Sequence, residues 1–159
     1  MTRTERGLLA VLAIVAVLGA VDVLPAVGSW WTSWHAVDQF GLSLTAVTPR
    51  TDHTAVDVRV AFVNNSGVQI QILEVDARIN INGHTVADAL AEPSNFTLAG
   101  NQRRTFTLSG PVVDIDRPTL IEQLGARAVI WNISGQVQIQ IAGQTDPTWV
   151  PYAGTVTGA

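Results

Sequence analysis

From Ala55 onward the apolar residues recur at every second position, in short runs separated by turn formers, and this period of two restricts the chain to β-structure. In TAVDVRVAFVNN, Val56, Val58, Val60 and Phe62 share one face of a strand, opposite Asp57 and Arg59, so that strand has one dry and one wet face. The next segment begins with Val68, Ile70 and Ile72, but Leu73, Val75, Ala77, Ile79 and Ile81 continue in the opposite phase. A β-bulge is therefore expected near Ile72 and Leu73. Asn82-Gly83 then supplies a two-residue hairpin turn with positive φ at both positions, and the return strand is expected from His84 to Leu90.

Beyond Glu92-Pro93, Phe96 and Leu98 begin a strand or edge, Gly100-Asn101 turns, and Arg104 to Leu108 sets Thr105 and Thr107 against Phe106 and Leu108. A helix of two turns should follow: Asp116 to cap the free amides, Pro118 in the first turn, Leu120, Ile121 and Leu124 as the apolar stripe, Gly125 to end it left-handed. Two strands, Ala128 to Ile133 and Gln136 to Ile141, are expected to meet in a turn at Ser134-Gly135. A tail with Pro147, Trp149, Pro151 and Tyr152 then leads to a closing edge strand near Gly154 to Thr157. The fold expected for residues 40–159 is all-β: an antiparallel, immunoglobulin-like β-sandwich of about seven strands with one short helix.

Ahead of this domain Gly7 to Val27 is apolar apart from Asp22. As a helix, Leu8 to Val27 rises roughly 30 Å, the thickness of a bilayer's hydrocarbon core. Asp22 falls near the end of the span, where a charge costs less than at the centre; it is either solvated or faces a partner helix. Trp30, Trp31 and Trp34 form the aromatic belt expected where such a helix leaves the bilayer. Arg3 and Arg6 keep the amino terminus cytoplasmic. The expected organisation is a cytoplasmic segment over 1–6, a transmembrane anchor over 7–28, a juxtamembrane aromatic segment over 29–39, and the sandwich on the extracytoplasmic side. Two rivals remain open. The opening could be a signal peptide cleaved after Ala26-Val27-Gly28. Alternatively, Arg6-Gly7 followed by Leu8 is similar to the processing site of archaeal pilin-type precursors, which would make the chain a filament subunit.

Past the anchor, eleven acidic residues face seven arginines, so a phosphate backbone would be repelled and nucleic acid is excluded as a partner. Cysteine is absent, which excludes thiol catalysis and thiolate metal sites. Charged residues make up 14% of the chain, against about 25% in typical soluble proteins, which points to a partly covered surface. Gln69 and Gln71, then Gln136, Gln138 and Gln140, place uncharged amides on the outer faces of two strands. Such a face can meet a neighbouring subunit without charge repulsion and at little desolvation cost.

The order of these features resembles the group 2 late embryogenesis abundant proteins and their prokaryotic relatives carrying the water-stress and hypersensitive-response domain. The residues that carry the resemblance are VNNSG after the first strand, ILEVDARININGHTVADA as a bulged strand and hairpin, RRTFTLSGPV as the threonine strand, and WNISGQVQIQIAG with WVPYAG as the last pair and tail. It spans about Gly41 to Val156. The family's asparagine-proline-asparagine turn reads Asn64-Asn65-Ser66 here, with the same turn-forming chemistry. What the resemblance implies is a sandwich of some seven strands without enzymatic activity, in a family associated with stress protection and with contact roles at membranes.

The residues offer little chemistry of their own. His35, His53 and His84 are not at metal-ligand spacing and read as solvated turn residues. Asp114 and Asp116 lack the rest of a calcium loop. Glu74 and Asp76 share one strand face, where they could act as an acid-base pair only under a cleft, and otherwise mark the solvent side. Asn64, Asn95 and Asn132 open N-glycosylation triplets, of which Asn64 and Asn95 are the candidates for surface loops. Neither cofactor nor metal is expected. The function expected is a membrane-tethered, non-enzymatic interaction module, with the bilayer and other membrane subunits as partners. The alternative is a domain that shelters a lipid or apolar ligand between its sheets.

Overall fold

The computed structural model describes residue 31 and residues 34–93, 96–126 and 128–158. The expected anchor over 7–28, with Asp22, and Trp30 and Asn95 lie outside these. Among the described residues no helix is long and apolar enough to cross a membrane. The chain divides into a unit ending at His35 and a unit beginning at Ala36; the β-structure belongs to the second.

That unit contains β1 (Phe40–Pro49), β2 (Ala55–Asn64), β3 (Ile70–Ile81), β4 (His84–Ala91), β5 (Phe96–Leu98), β6 (Gln102–Pro111), α1 (Arg117–Leu124), β7 (Val129–Ile141) and β8 (Thr148–Gly158). All pairings are antiparallel. One sheet has the order β1-β2-β6; the other has β4-β3-β7-β8, with β5 also paired to β3. The two sheets pack face to face as a sandwich, with β4 beside β6 along one side and β1 beside β8 along the other.

The alternation of β2 explains the first sheet: Val56, Val58, Val60 and Phe62 are all fully buried. From the second sheet Ile72, Val75, Ile79, Ile81, Val137 and Ile139 meet them, also fully buried. Each such side chain contributes about 1.5–3 kcal/mol relative to exposure. At the end where β1 enters, Phe40, Phe62, Phe96 and Phe106 form a chain of rings with centroids 6.1, 5.6 and 5.5 Å apart. The Arg104 guanidinium lies 4.7 Å over the Phe96 ring.

The bulge expected near Ile72 and Leu73 is present, as a register shift in the β3–β7 ladder between Ile72 and Glu74. The Asn82-Gly83 turn has φ of 48° and 89°, as a tight hairpin between right-twisted strands requires. The final strand is longer than Gly154 to Thr157 and runs through Trp149, Pro151 and Tyr152. Pro151 fits there because β8 is an edge strand of its sheet.

Three expectations are corrected. Ser134-Gly135 is not a turn, because β7 runs unbroken through it and pairs with β3 on one side and β8 on the other. Asp116 flanks α1 with αR backbone angles and its carboxylate makes no capping bond; its backbone carbonyl accepts from the Leu120 amide instead. Gly125 ends α1 at φ −79°, not left-handed, and its amide bonds back to Ile121 and Glu122.

A fourth correction concerns Asn64. It is fully buried at the end of β2. Its amide N–H groups donate to the carbonyls of Val68, Leu98 and Ala99 at 2.7, 3.3 and 3.0 Å. Its Oδ1 accepts from the Ser66 amide at 3.0 Å and the Ser66 hydroxyl at 2.6 Å. The amide nitrogen that would carry a sugar is thus enclosed and fully engaged, which corrects the reading of Asn64 as a glycosylation acceptor. The side chain instead ties the β2–β3 loop to the β5–β6 turn.

Candidate functional site: the outer face of the five-stranded sheet

Because Val75, Ala77, Ile79 and Ile81 of β3 and Trp131, Ile133, Val137 and Ile139 of β7 are buried, the residues between them must face outward. Strand register then arranges the outer face in transverse rows. Asn80 stands opposite Asn132, and Asn132 opposite Thr155. In that row the Thr85 hydroxyl donates to Asn80 Oδ1 at 2.6 Å, and the Thr155 hydroxyl donates to Asn132 Oδ1 at 3.0 Å. Arg78 stands between Asp88 and Ser134, and its Nε–H donates to Asp88 Oδ1 at 3.4 Å. Farther along, Gln138 lies between Glu74 and Trp149, and Gln140 opposite Gln71.

Between the pairs Val75–Val137 and Arg78–Ser134 the β3–β7 ladder opens. The opening is filled by side chains. The Gln136 backbone N–H donates to Asp76 Oδ1, and the Tyr152 hydroxyl donates to the Asp76 carbonyl at 2.5 Å. Tyr152 reaches it because its cross-strand partner is Gly135; a Cβ on Gly135 would collide with the Asp76 backbone. Burial, and secondly the Asp76 charge, push the Tyr152 phenol above its ordinary range.

A groove of about 670 Å³ lies over this opening. Asp88 and Leu90 of β4 bound it on one side, Pro151 of β8 on the other, and Asp76, Gly135 and Gln136 lie between them. Leu90 is 63% exposed and Trp149, two residues from Pro151, is 42% exposed. The face therefore combines amides, hydroxyls, a neutralised ion pair and two apolar side chains.

Of the residues singled out in the sequence, Gln136, Gln138 and Gln140 fall on this face with Gln71, Glu74 and Asp76. Glu74 and Asp76 are half-exposed on β3, and Asp76 is committed to Gln136. The exposed His35 and His84 and the half-buried His53, in a turn at φ 55°, join no metal-binding group among the described residues. Asp114 pairs with Arg117 at 2.8 Å. Asn132 is on β7 and uses its Oδ1 for Thr155. Trp31 packs edge-on to His35 with centroids 5.0 Å apart, and Trp31 and Trp34 carry exposed rings. Sequence reasoning missed Leu90, Trp149 and the Tyr152–Asp76 bond. The alternation in β4 and β8 carries a signal for the first two, whereas the bond depends on the three-strand register at Gly135.

Neither a family model nor a curated protein matches the chain. Among solved structures it is similar to AT1g01470 from Arabidopsis thaliana, with a TM-score of 0.52 and 13% identity over 74% of this chain and 76% of that one. A protein from Archaeoglobus fulgidus matches at a TM-score of 0.44 and 14% identity, over 76% of this chain and 95% of that one. A late embryogenesis abundant (LEA) protein, At2g46140.1, matches at 0.45 and 16% identity, over 93% and 87%. The likeness to AT1g01470 shows that the chain shares its fold with that plant protein.

Proposed function

We propose that this protein is a membrane-tethered, non-enzymatic contact module, an accessory subunit or surface contact domain that presents its five-stranded sheet on the outer side of a membrane. The observation that carries the reading is the outer face itself. It is built on paired strands, is rich in amide and hydroxyl groups, and holds the Arg78 guanidinium paired with Asp88. Such a surface meets a partner without stranding buried charge. The tether rests on the apolar run 7–28 and its flanking Trp30, Trp31 and Trp34. The space between the sheets supports the choice of an outer face, because Phe62, Ile72, Ile79, Leu108 and Ile139 fill it completely buried. In this reading the chain is a distant member of the group 2 late embryogenesis abundant proteins, a relationship that rests on the VNNSG, RRTFTLSGPV and WVPYAG segments of its sequence.

Fractionation tests the tether. After a high-salt and carbonate wash, the intact chain stays with the membrane pellet and needs detergent for release. Intact chain in the washed soluble fraction would overturn the proposal. Intact-mass analysis of the pellet form reads its start; a start near Ser29 would remove the anchor, and a start at Leu8 would favour a filament subunit.

A further inference from the structure

We propose that the groove over Asp76 and Gly135, together with the exposed Trp149 two residues before the Pro151 that bounds it, binds an uncharged oligosaccharide. The proposal rests on the reading of this face as the contact surface and names the chemistry of what it contacts. A sugar ring offers an apolar C–H face and a perimeter of hydroxyls that both donate and accept. Trp149 provides a flat, exposed apolar surface for the first. It stands opposite Gln138, which stands opposite Glu74. An amide supplies donors and acceptors together, and a carboxylate accepts from two neighbouring hydroxyls. Gln136 and Ser134 continue the polar set along β7 beside the groove. The groove's volume of about 670 Å³ lies within the roughly 300–1,000 Å³ of small-ligand sites.

Charge selects among ligands. Glu74, Asp76 and Asp88 oppose an anionic polymer, with Arg78 the only cation among the described residues of the rows that flank the groove. Arg78 and Asp88 are paired with each other, and Asp76 accepts from the Gln136 backbone N–H, which blunts attraction for a cationic peptide. A ligand that hydrogen-bonds without formal charge meets the least opposition. The site is also preorganised: Tyr152 and Gly135 fix the floor on two paired strands.

The test uses the full chain in phosphatidylcholine nanodiscs, free of glycoside detergents. Indole N–H resonances are followed during titration with maltohexaose, cellohexaose, mannohexaose and chitohexaose. At least one hexasaccharide should shift the Trp149 resonance saturably. Trp149→Ala should weaken binding about tenfold or more, and Gln138→Ala should weaken it while leaving the thermal midpoint unchanged. Absence of a saturable shift with all four sugars would overturn the proposal, as would equal binding by Trp149→Ala, or tighter binding of a heparin hexasaccharide or an octa-arginine peptide. Because binding is read independently of fractionation, a chain that binds sugar but washes off membranes refutes the tether alone. A tethered chain that binds none of the sugars refutes the ligand alone.

Discussion

Replacing Asn64 by alanine should be the most damaging single truncation of a polar side chain in the described body. The side chain has two N–H donors shared among three carbonyls and an oxygen that accepts from both the amide and the hydroxyl of Ser66, all at a fully buried position. Counting four hydrogen bonds at about 1 kcal/mol each gives a loss of about 4 kcal/mol, a large part of the roughly 5–15 kcal/mol by which a domain is stable. Asn64→Asp should cost more, because it sets a carboxylate oxygen against the same three carbonyls. Urea unfolding of the full chain, followed by tryptophan fluorescence in nanodiscs, should show a lowered midpoint with an unchanged slope. Asn132→Ala is the comparison, since Asn132 is exposed and accepts one side-chain bond from Thr155. If the two variants lose the same stability, within about 0.5 kcal/mol, the role assigned to Asn64 is wrong.

Gly135→Ala should destabilise by about 1–3 kcal/mol, because the new methyl strikes the Asp76 backbone, whereas Gly67→Ala meets nothing within 4 Å; paired melts check the contrast. Tyr152→Phe should cost about 1–2 kcal/mol by leaving the Asp76 carbonyl short of its donor. The phenol's folded pKa is raised above its ordinary 10.0, so its stabilisation is full below pH 10 and is lost as pH rises beyond it; stability measured between pH 9 and 11 should fall in the parent and flatten in Tyr152→Phe. Asp57 works in the opposite sense. Hydrogen bonds from Arg50 first and Ser109 second hold it below its ordinary 3.8, so its contribution is present above pH 3.8 and lost as pH falls through the lowered value. Asp57→Asn should remove that part of the acid dependence in the same titration.

The strands that read most clearly from the sequence are those with one wet and one dry face. Val56 to Phe62 and the Asn82-Gly83 hairpin follow from side-chain direction and turn geometry alone. β1 adds a strand beyond the sequence expectation, because its alternation is diluted: Leu42, Leu44, Ala46 and Val47 are half-buried, and a register shift interrupts it between Leu44 and Ala46. Ser134-Gly135 misleads for a different reason. Serine and glycine are turn formers, but here the missing Cβ admits the Asp76 backbone across the sheet, a tertiary demand with no local trace. Likewise the caps of α1 are made by backbone groups, which no side-chain rule detects. Along β7, Gln136, Gln138 and Gln140 alternate with the buried Val137, Ile139 and Ile141 and so share the outer face of the strand. Arg78, Leu90 and Trp149 join that face only through the register of β7 with β3 and β8 and of β3 with β4, and Asn64 became structural because loops distant in sequence supply its acceptors.

Hydroxyl-radical footprinting tests most directly whether the outer sheet face is the contact surface. It compares oxidation of the chain in its native membrane with oxidation of the purified chain in nanodiscs. Leu90 and Trp149, 63% and 42% exposed in the isolated chain, should be protected several-fold in the native envelope, while Ile115, 83% exposed on the loop before α1, should oxidise equally in both. Equal oxidation of Leu90 and Trp149 in the two preparations, or protection of Ile115 alone, would contradict the account.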